Sequence, residues 1–146
     1  MTASRSLVEM LPHRPPMRLV AEIAELVPGK SARGLRVADR SDWYFQGHFP
    51  GDPVVPAIVL VELLAQTGGL AAAMSPDGVA PQLRVAALGP FKFRGGAKPG
   101  QVLEARARVI ARLGGIVKIE GEVLADGAQV AVGSVTLSDI GNRFEQ

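Results

Sequence analysis

A histidine and a glutamate fourteen positions apart carry the strongest chemical signal in this sequence. His48 lies in the segment GHFPGDPVVP, residues 47–56, where proline and glycine exclude a regular helix or strand. Glu62 lies in the apolar segment that follows, where an unpaired carboxyl group is costly. Histidine is a common general base, and a desolvated carboxyl group favours its protonated form. The two residues therefore suit acid–base chemistry.

The residues after this loop predict one long helix. No helix breaker occurs from Ala57 to Thr67, and Pro56 stands where a first-turn proline is tolerated. Gly68-Gly69 can weaken or bend the helix, but residues 70–74 can continue it. Because apolar residues occupy nearly all of its circumference, we expect the helix to be buried on every side.

Two further features of this helix add to the chemistry. Gln66 lies one turn after Glu62 on the same face. The first helical turn has free backbone N–H groups, notably that of Ala57, which can bind a developing oxyanion. A base, an acid and an oxyanion donor together suit the removal of a proton next to a carbonyl group with loss of a β-hydroxyl group.

Structural interpretations of the same residues stay open at this point. A loop histidine such as His48 is often hydrogen-bonded to the backbone without any catalytic role. Glu62 has no Arg or Lys within one helical turn, but a more distant partner could neutralise it. His13 lies in a proline-flanked loop and is expected to be a structural or channel-wall residue.

The remaining pattern predicts strands on both sides of the helix, one hairpin before it and about four antiparallel strands after it. An apolar helix needs a sheet curled around it, because one flat contact would leave half of its surface in water. The sequence therefore predicts an α+β fold with an antiparallel sheet wrapped around one long buried helix, as a single domain over residues 1–146. The predicted strands are residues 17–26, 31–37, 105–110, 117–123 and 130–137, with turns at residues 28–29, 75–78, 98–100, 114–115 and 126–127.

The composition limits the kinds of site that the protein can have. The chain has no cysteine and two histidines, which excludes zinc–thiolate sites and thiol nucleophiles and leads us to expect no metal. Residues 1–9 lack the apolar region of a secretory signal, and the most apolar stretch, residues 54–65, is too short for a membrane span. We expect a soluble, cytoplasmic protein without membrane insertion.

The charge is unevenly distributed along the chain. A net charge of +2 is too small to predict nucleic-acid binding. Residues 84–112 hold seven basic residues and one acidic residue, whereas residues 113–146 hold two basic and five acidic residues. The basic segment suits an acidic partner or a phosphate group. A solvated strand face is an equally good interpretation of the same charges.

The motifs taken together resemble a known enzyme family. The segments LPHRPPM (residues 11–17), GHFPGDPVVP (47–56) and VELLAQ (61–66) look like the hot-dog-fold (3R)-hydroxyacyl-acyl-carrier-protein dehydratases of the FabZ type. The segments KFR (92–94) and KPGQ (98–101) resemble the later strand and turn of that family. The resemblance covers nearly the whole chain, and the glutamate in the helix is more similar to this type than to the related dehydratase–isomerases.

The resemblance implies a role for each candidate residue. His48 would remove the C2 proton of the hydroxyacyl thioester, and Glu62 would protonate the departing C3 hydroxyl group. The N–H of Ala57 would polarise the thioester carbonyl group, and Gln66 would orient Glu62. Further substrate-binding residues would be Phe49 and Gly51, and the core and acyl-channel lining would include Trp43, Tyr44, Phe45 and Phe49.

The resemblance also implies partners for the protein. The substrate would arrive on an acidic acyl carrier protein by its phosphopantetheine arm. No metal or redox cofactor would be needed, because the thioester itself supplies the electron sink. The histidine and the glutamate of one site would come from opposite subunits of a homodimer, often within a trimer of dimers. The basic residues for carrier docking would be Arg84, Lys92, Arg94 and Lys98.

Departures from the family pattern leave other functions open. Ala57 stands where glycine is usual, residues 19–22 replace the usual end of the first strand, and Gly95-Gly96 replaces an Arg-Pro pair. The acid–base pair is intact, so a dehydratase of a specialised, polyketide-like pathway is one alternative. A hot-dog thioesterase is another, although such enzymes usually have a carboxylate without an opposing histidine. A non-catalytic acyl-binding module would need neither group.

Overall fold

The computed structural model describes residues 7–75, 78–79 and 83–139. One long helix, α1 (Ala57–Ala73), lies against a six-stranded antiparallel sheet with the strand order β1-β2-β6-β7-β8-β5. A small separate pair is formed by β3 and β4. The strands are β1 (Glu22–Val27), β2 (Ser31–Val37), β3 (Met74–Ser75), β4 (Gly78–Val79), β5 (Leu83–Phe93), β6 (Val102–Leu113), β7 (Ile116–Ala125) and β8 (Ala128–Asp139).

Glycines at the contact allow α1 to approach the sheet closely. The helix contacts β2, β5, β6, β7 and β8, so the sheet curls around it in the hot-dog arrangement. A Cβ at Gly68 would lie 2.5 Å from Ile119 Cγ2, and a Cβ at Gly34 of β2 would overlap the side chain of Thr67. Leu63 is completely buried at this contact, which has the dense packing of a protein core.

The predicted hairpin, helix and late strands are confirmed. β1 and β2 pair around a turn in which Gly29 has φ +74°. α1 is unbroken through Gly68-Gly69. Alternation in β6 and β7 directs Ala105 and Ile119 into the core, as the sequence pattern predicts. The predicted turn at residues 75–78 lies partly outside the described residues, but β3 and β4 pair on either side of it.

The expectation that α1 is buried on every side is wrong. Ile58 is 77% exposed, and the side chain of Glu62 is 29% exposed. Gly69 and Ala73 are also only partly buried. These residues follow each other along one stripe of the helix, and within the described residues no sheet strand covers that stripe completely. One face of the apolar helix is therefore left for something other than the core.

Two other expectations need correction. The first strand begins at Glu22, not at residue 17, because the backbone of Met17 and Leu19 bonds to α1 instead of to β2. Tyr44 and Phe45 are buried, as expected for core residues. The other two aromatic residues of this region are exposed, Trp43 by 43% and Phe49 by 53%.

Strand β5 forms an edge of the sheet and presents apolar side chains to solvent. It pairs with β8 on one side and has no neighbour on the other among the described residues. Leu88 is 57% exposed, and Val85 and Phe93 are each nearly half exposed. A long, apolar edge strand is a template for pairing with another chain.

Within the described residues, no helix is long and apolar enough to cross a bilayer.

Two arginines of the basic segment are paired with glutamates on the outer face of the sheet. Arg106 pairs with Glu104 and lies 3.9 Å from Glu122, and Arg108 pairs with Glu120. The acidic partners Glu120 and Glu122 belong to the acidic part of the sequence, which folds back alongside the basic part as β7 pairs with β6. The solvated-strand interpretation is therefore correct for these arginines.

Candidate active site

Gln66 fixes the position of the Glu62 carboxyl group. The Gln66 side chain is buried, and its Oε1 accepts the backbone N–H of Leu19 at 2.8 Å. Its Nε2 donates to Met17 O and to Glu62 Oε2, each at 2.7 Å. The orientation of the amide is set, because only an oxygen can accept from Leu19 and only an N–H can donate to Met17. Gln66 is therefore a donor to Glu62, and Glu62 Oε1 has no donor from this amide.

His13 is the histidine that lies beside Glu62 within one chain. Its Nε2 is 3.5 Å from Glu62 Oε2, and its Nδ1 is buried without a hydrogen-bond partner among the described residues. The short loop that carries it is held by Arg14, whose Nη1 donates to Leu11 O and His13 O. The sequence predicted a channel-wall position for His13 but gave no sign of its contact with the carboxyl group.

A cavity of about 470 Å³ opens beside Glu62. Its polar lining includes Glu62, Gln66 and His13, and Arg84 of β5 also borders it. The rest of its wall is mostly small or aliphatic, with Leu11, Ala65, Gly69, Leu70, Ala73, Leu83, Val85 and Leu137. A cavity of this size, apolar with a few converging polar groups, has the usual character of a small-molecule site.

His48 is held in a defined orientation on the loop before α1. Its Nδ1 lies 3.0 Å from Val54 O, and Val54 N donates to His48 O at 2.9 Å. Because a carbonyl oxygen can only accept, Nδ1 carries the proton and Nε2 is free to act as a base. The rings of His48 and Phe49 stack with their centroids 4.1 Å apart. Gly51 adopts φ +79° in the turn that reverses the loop.

Within one chain, His48 and Glu62 do not meet. His48 does not line the cavity that contains Glu62. It lies instead on the loop that leads into α1, whose first residue, Ala57, is exposed and has a backbone N–H that bonds to no described residue. Ala57 and Glu62 are five residues apart and so point about 140° away from each other around the helix. The predicted residues thus form two groups, His48 with Ala57 and Glu62 with Gln66.

A second polar cluster supports the segment that leads to His48. Arg36 of β2 lies 2.9 Å from Asp42 and also donates to Leu19 O at 3.1 Å. Asp42 accepts the Tyr44 hydroxyl group at 2.6 Å, and burial together with this hydrogen bond raises the pKa of Tyr44 to about 12. Trp43 Nε1 donates to Pro16 O at 3.1 Å. These contacts tie the short 3-10 helix at Trp43–Phe45, which precedes the His48 loop, to the segment that Gln66 also holds.

The four predicted docking residues are exposed but do not share one face. Arg84 borders the Glu62 cavity at the start of β5. Lys92, near the end of the same strand, lines a groove on the outer face of the sheet with Arg33 and Arg108. Arg94 and Lys98 follow in the segment after β5, and no described acidic side chain pairs with them. Among the described residues, no group of three or more His, Asp or Glu side chains could hold a metal ion.

Comparison with known proteins agrees with the resemblance seen in the motifs. The FabA-like domain family matches residues 11–134. The 3-hydroxyacyl-[acyl-carrier-protein] dehydratase FabZ of Ruminiclostridium cellulolyticum is 33% identical over 135 residues, which are 92% of this chain and 95% of that protein. The FabZ of Caldicellulosiruptor saccharolyticus is 35% identical over 128 residues, 84% of this chain and 91% of that protein. The chain belongs to the FabA-like domain family.

Solved structures with similar folds are more distant in sequence. The dehydratase heterocomplex ApeI:P from Xenorhabdus doucetiae matches with a TM-score of 0.79 and 13% identity over the full length of both chains. The phenylacetic acid degradation protein PaaI from Thermus thermophilus matches with a TM-score of 0.62 and 17% identity, over 80% of this chain and 90% of that one. At these identities the matches establish the hot-dog fold alone.

Proposed function

We propose that this protein is a 3-hydroxyacyl-acyl-carrier-protein dehydratase of fatty acid biosynthesis, a hydro-lyase that forms trans-2-enoyl thioesters. The observation that carries the proposal is the Glu62 carboxyl group, held by Gln66 at the edge of a largely apolar cavity of about 470 Å³. Family membership supports it, because the relatives named above carry this activity in their names.

The proposed chemistry is a β-elimination that uses one base and one acid. His48 Nε2 takes the C2 proton, and the electron pair of that C–H bond forms the C2–C3 double bond. Glu62 gives its proton to the C3 hydroxyl group, which leaves as water with its bonding electrons. His48 ends protonated and Glu62 ionised, and a proton passed back through solvent restores both. The Ala57 N–H stabilises the negative charge that develops on the thioester oxygen.

The base and the acid of one site are proposed to come from two subunits. The His48 loop is tied to the segment after β5, because Val55 N donates to Ala97 O at 2.8 Å. Glu62 shares its cavity with Leu83 and Val85 at the start of β5. If two β5 edges pair antiparallel, the end of one strand lies beside the start of the other. Such a homodimer brings His48 of one subunit toward Glu62 of the other.

The same pairing suits the docking of an acyl carrier protein. Arg84 lies at the start of β5, whereas Arg94 and Lys98 lie beyond its end. Antiparallel pairing gathers these cations from two subunits around each cavity mouth, where an acidic carrier would deliver its phosphopantetheine arm. Lys92 faces the outer groove and contributes less. A trimer of dimers and a cytoplasmic location stay predictions from the sequence.

Turnover of carrier-bound substrates tests the proposal. The purified protein should interconvert 3-hydroxybutyryl and crotonyl thioesters, and both His48→Gln and Glu62→Gln should lose activity by about 10² to 10⁴ while remaining folded. The matched control is Glu120→Gln, which makes the same change as Glu62→Gln on the outer face of the sheet and should retain most of the turnover. Release of free thiol without enoyl product would identify a thioesterase instead. Unchanged turnover in His48→Gln would exclude the proposed base.

Carrier docking has its own test in the salt dependence of binding. Binding of the acylated carrier should weaken as salt increases, and Arg84→Glu should weaken it more than Lys92→Glu does. The reason is that Arg84 borders the cavity, whereas Lys92 lies on the outer face. An affinity independent of salt in the unmodified protein would rule out docking on these cations.

A further inference from the structure

The cavity beside Glu62 follows one face of α1. The helix residues that line it lie along a single stripe, because residues three and four positions apart share one face of a helix. They are Glu62, Ala65, Gln66, Gly69, Leu70 and Ala73. At the helical rise, Gly69 lies about 10 Å and Ala73 about 16 Å beyond Glu62 along the axis. The strands contribute the aliphatic side chains of Leu83, Val85 and Leu137, and the charged residues Glu9, Arg14 and Arg84 also border the cavity. The cavity therefore extends away from the carboxyl group along small and aliphatic side chains of α1, β5 and β8.

The adjacent glycines in α1 have different surroundings. Gly68 faces the sheet, where an added Cβ would lie 2.5 Å from Ile119 Cγ2, so close packing requires a glycine there. Gly69 faces the cavity, where an added Cβ would meet only Leu137 Cδ1 at an ordinary 3.6 Å. Packing thus explains Gly68 but not Gly69. A glycine in mid-helix makes a helix less stable than alanine would, so Gly69 lowers helix stability although packing of the core does not require it.

We propose that Gly69 and Ala73 set the longest 3-hydroxyacyl chain that the enzyme accepts. This inference rests on the proposed dehydratase function, since it takes C3 of the substrate to lie at Glu62. The absent side chain at position 69 leaves the channel open halfway along, and the small methyl group at position 73 leaves its far part open.

The dimensions of the helix set the expected chain length. An extended chain advances about 3.5 Å for every three bonds, so 10 Å corresponds to about nine bonds and 16 Å to about fourteen. A substrate with about a dozen carbons beyond C3 therefore reaches Ala73 without passing it. A large side chain at position 69 should stop the chain before about nine carbons beyond C3.

Chain-length profiles of matched variants test the inference. The substrates are 3-hydroxybutyryl, 3-hydroxyoctanoyl, 3-hydroxydodecanoyl and 3-hydroxyhexadecanoyl thioesters on the carrier, and kcat/KM is measured for each. Gly69→Leu should keep the turnover of the hydroxybutyryl substrate. Its kcat/KM for the hydroxydodecanoyl substrate should fall at least about tenfold, because several methylenes at the end of that chain no longer fit in the channel. Ala73→Leu should lower kcat/KM only for the longest substrate.

The neighbouring glycine provides the control. Gly68→Ala should lower the midpoint of thermal unfolding through its contact with Ile119 and leave the ratio between short and long substrates unchanged. Gly69→Ala should fold at least as stably as the original protein. A profile that is unchanged in both Gly69→Leu and Ala73→Leu would overturn the inference, as would an equal loss on all four substrates in folded protein.

A binding experiment keeps the inference testable apart from the reaction. If the unmodified protein dehydrates none of the substrates, the proposed function fails, and saturated acyl thioesters of N-acetylcysteamine are titrated by calorimetry. Affinity that rises with chain length in the unmodified protein but levels off early in Gly69→Leu would still support the channel. Affinity that does not depend on chain length in either protein would exclude it.

Discussion

The carboxyl half and the imidazole half of the proposed site are built in different ways. The carboxyl half has Glu62 and Gln66 on a helix packed into the core, with His13 beside them on a loop, and the Gln66 amide uses both its oxygen and its nitrogen in hydrogen bonds to described residues. The imidazole half, His48 with Phe49 and Ala57, lies on an exposed loop and an exposed helix end. One hydrogen bond, from His48 to Val54 O, orients the imidazole, which also stacks on Phe49.

This difference indicates which part of the site one subunit completes. The carboxyl half already has its orienting partner and its cavity within one chain. The imidazole half has its tautomer fixed but faces outward, and Phe49, which stacks on His48, is 53% exposed. Exposed apolar groups of this kind mark surfaces that another chain covers. The comparison therefore supports the two-subunit site, and the following predictions test it in order of decreasing effect.

The largest effect is expected when the imidazole is replaced in one chain and the carboxyl group in another chain of the same dimer. His48→Gln and Glu62→Gln should each be nearly inactive, but a mixture refolded or co-expressed together should recover about a quarter of the original activity. The reason is that half of the dimers are mixed and each mixed dimer has one intact site. If both residues acted within one chain, the mixture would stay inactive, and a turnover assay distinguishes the two cases.

Breaking the β5 edge should give the next largest effect. Leu88→Lys places a charge at the centre of the exposed edge, so the protein should sediment as a monomer and lose turnover by about tenfold or more. Leu113→Lys is the matched control, since Leu113 is 83% exposed at the far end of β6. A Leu88→Lys variant that remains dimeric and active would show that β5 is not the interface.

Removal of the Gln66 amide should affect stability and activity together. Gln66→Met leaves the buried Leu19 N–H without its acceptor, which should cost about 2 kcal/mol of unfolding free energy. It also removes the donor that holds Glu62, so kcat should fall more than KM changes. Gln101→Met is the control, because the side-chain oxygen of Gln101 accepts only the exposed N–H of Lys98 among the described residues. Chemical denaturation should show little change for that variant.

The smallest effect is expected from a change at Glu104, which lies on the outer face of the sheet, outside both halves of the site. Hydrogen bonds from Arg33 and then Arg106 lower the pKa of Glu104 below its ordinary value of 4.5. The stabilisation is therefore present above pH 4.5 and is lost as the pH falls through the lower value of the folded state. Glu104→Gln should cost about 0.5 kcal/mol at neutral pH, typical of an exposed ion pair, and nothing in strong acid. Chemical denaturation of the original protein and of Glu104→Gln, at neutral pH and in strong acid, checks the sign of this change in unfolding free energy.

The sequence predicted most of the fold because its signals are local. The helix over residues 57–73, the turn at Gly29 and the alternation of β6 and β7 each follow from neighbouring residues. The long strand β5 was less visible, because Gly89 and Pro90 interrupt it and only register shifts against β8 accommodate them. Burial of the helix on every side was predicted wrongly, since composition cannot reveal which stripe of a helix faces a cavity.

The candidate site was predicted in part for the same reason. Glu62 and Gln66 are one helical turn apart, so their contact could be read from spacing alone. The contact of His13 with Glu62 could not, because it joins positions about fifty residues apart that only folding brings together. The different roles of Gly68 and Gly69 were equally hidden, since identical residues in sequence differ only in what they face.

The sequence by itself determined the elements and the chemically competent residues, since helix spacing, turn residues and unpaired polar groups are properties of short segments. Only the tertiary structure decided that His48 lies outside the cavity that contains Glu62, that two arginines of the basic segment lie against glutamates of β7, and that a cavity follows Gly69 and Ala73. The physical reason is that these relations depend on the packing of the helix against the sheet, which joins residues distant along the chain.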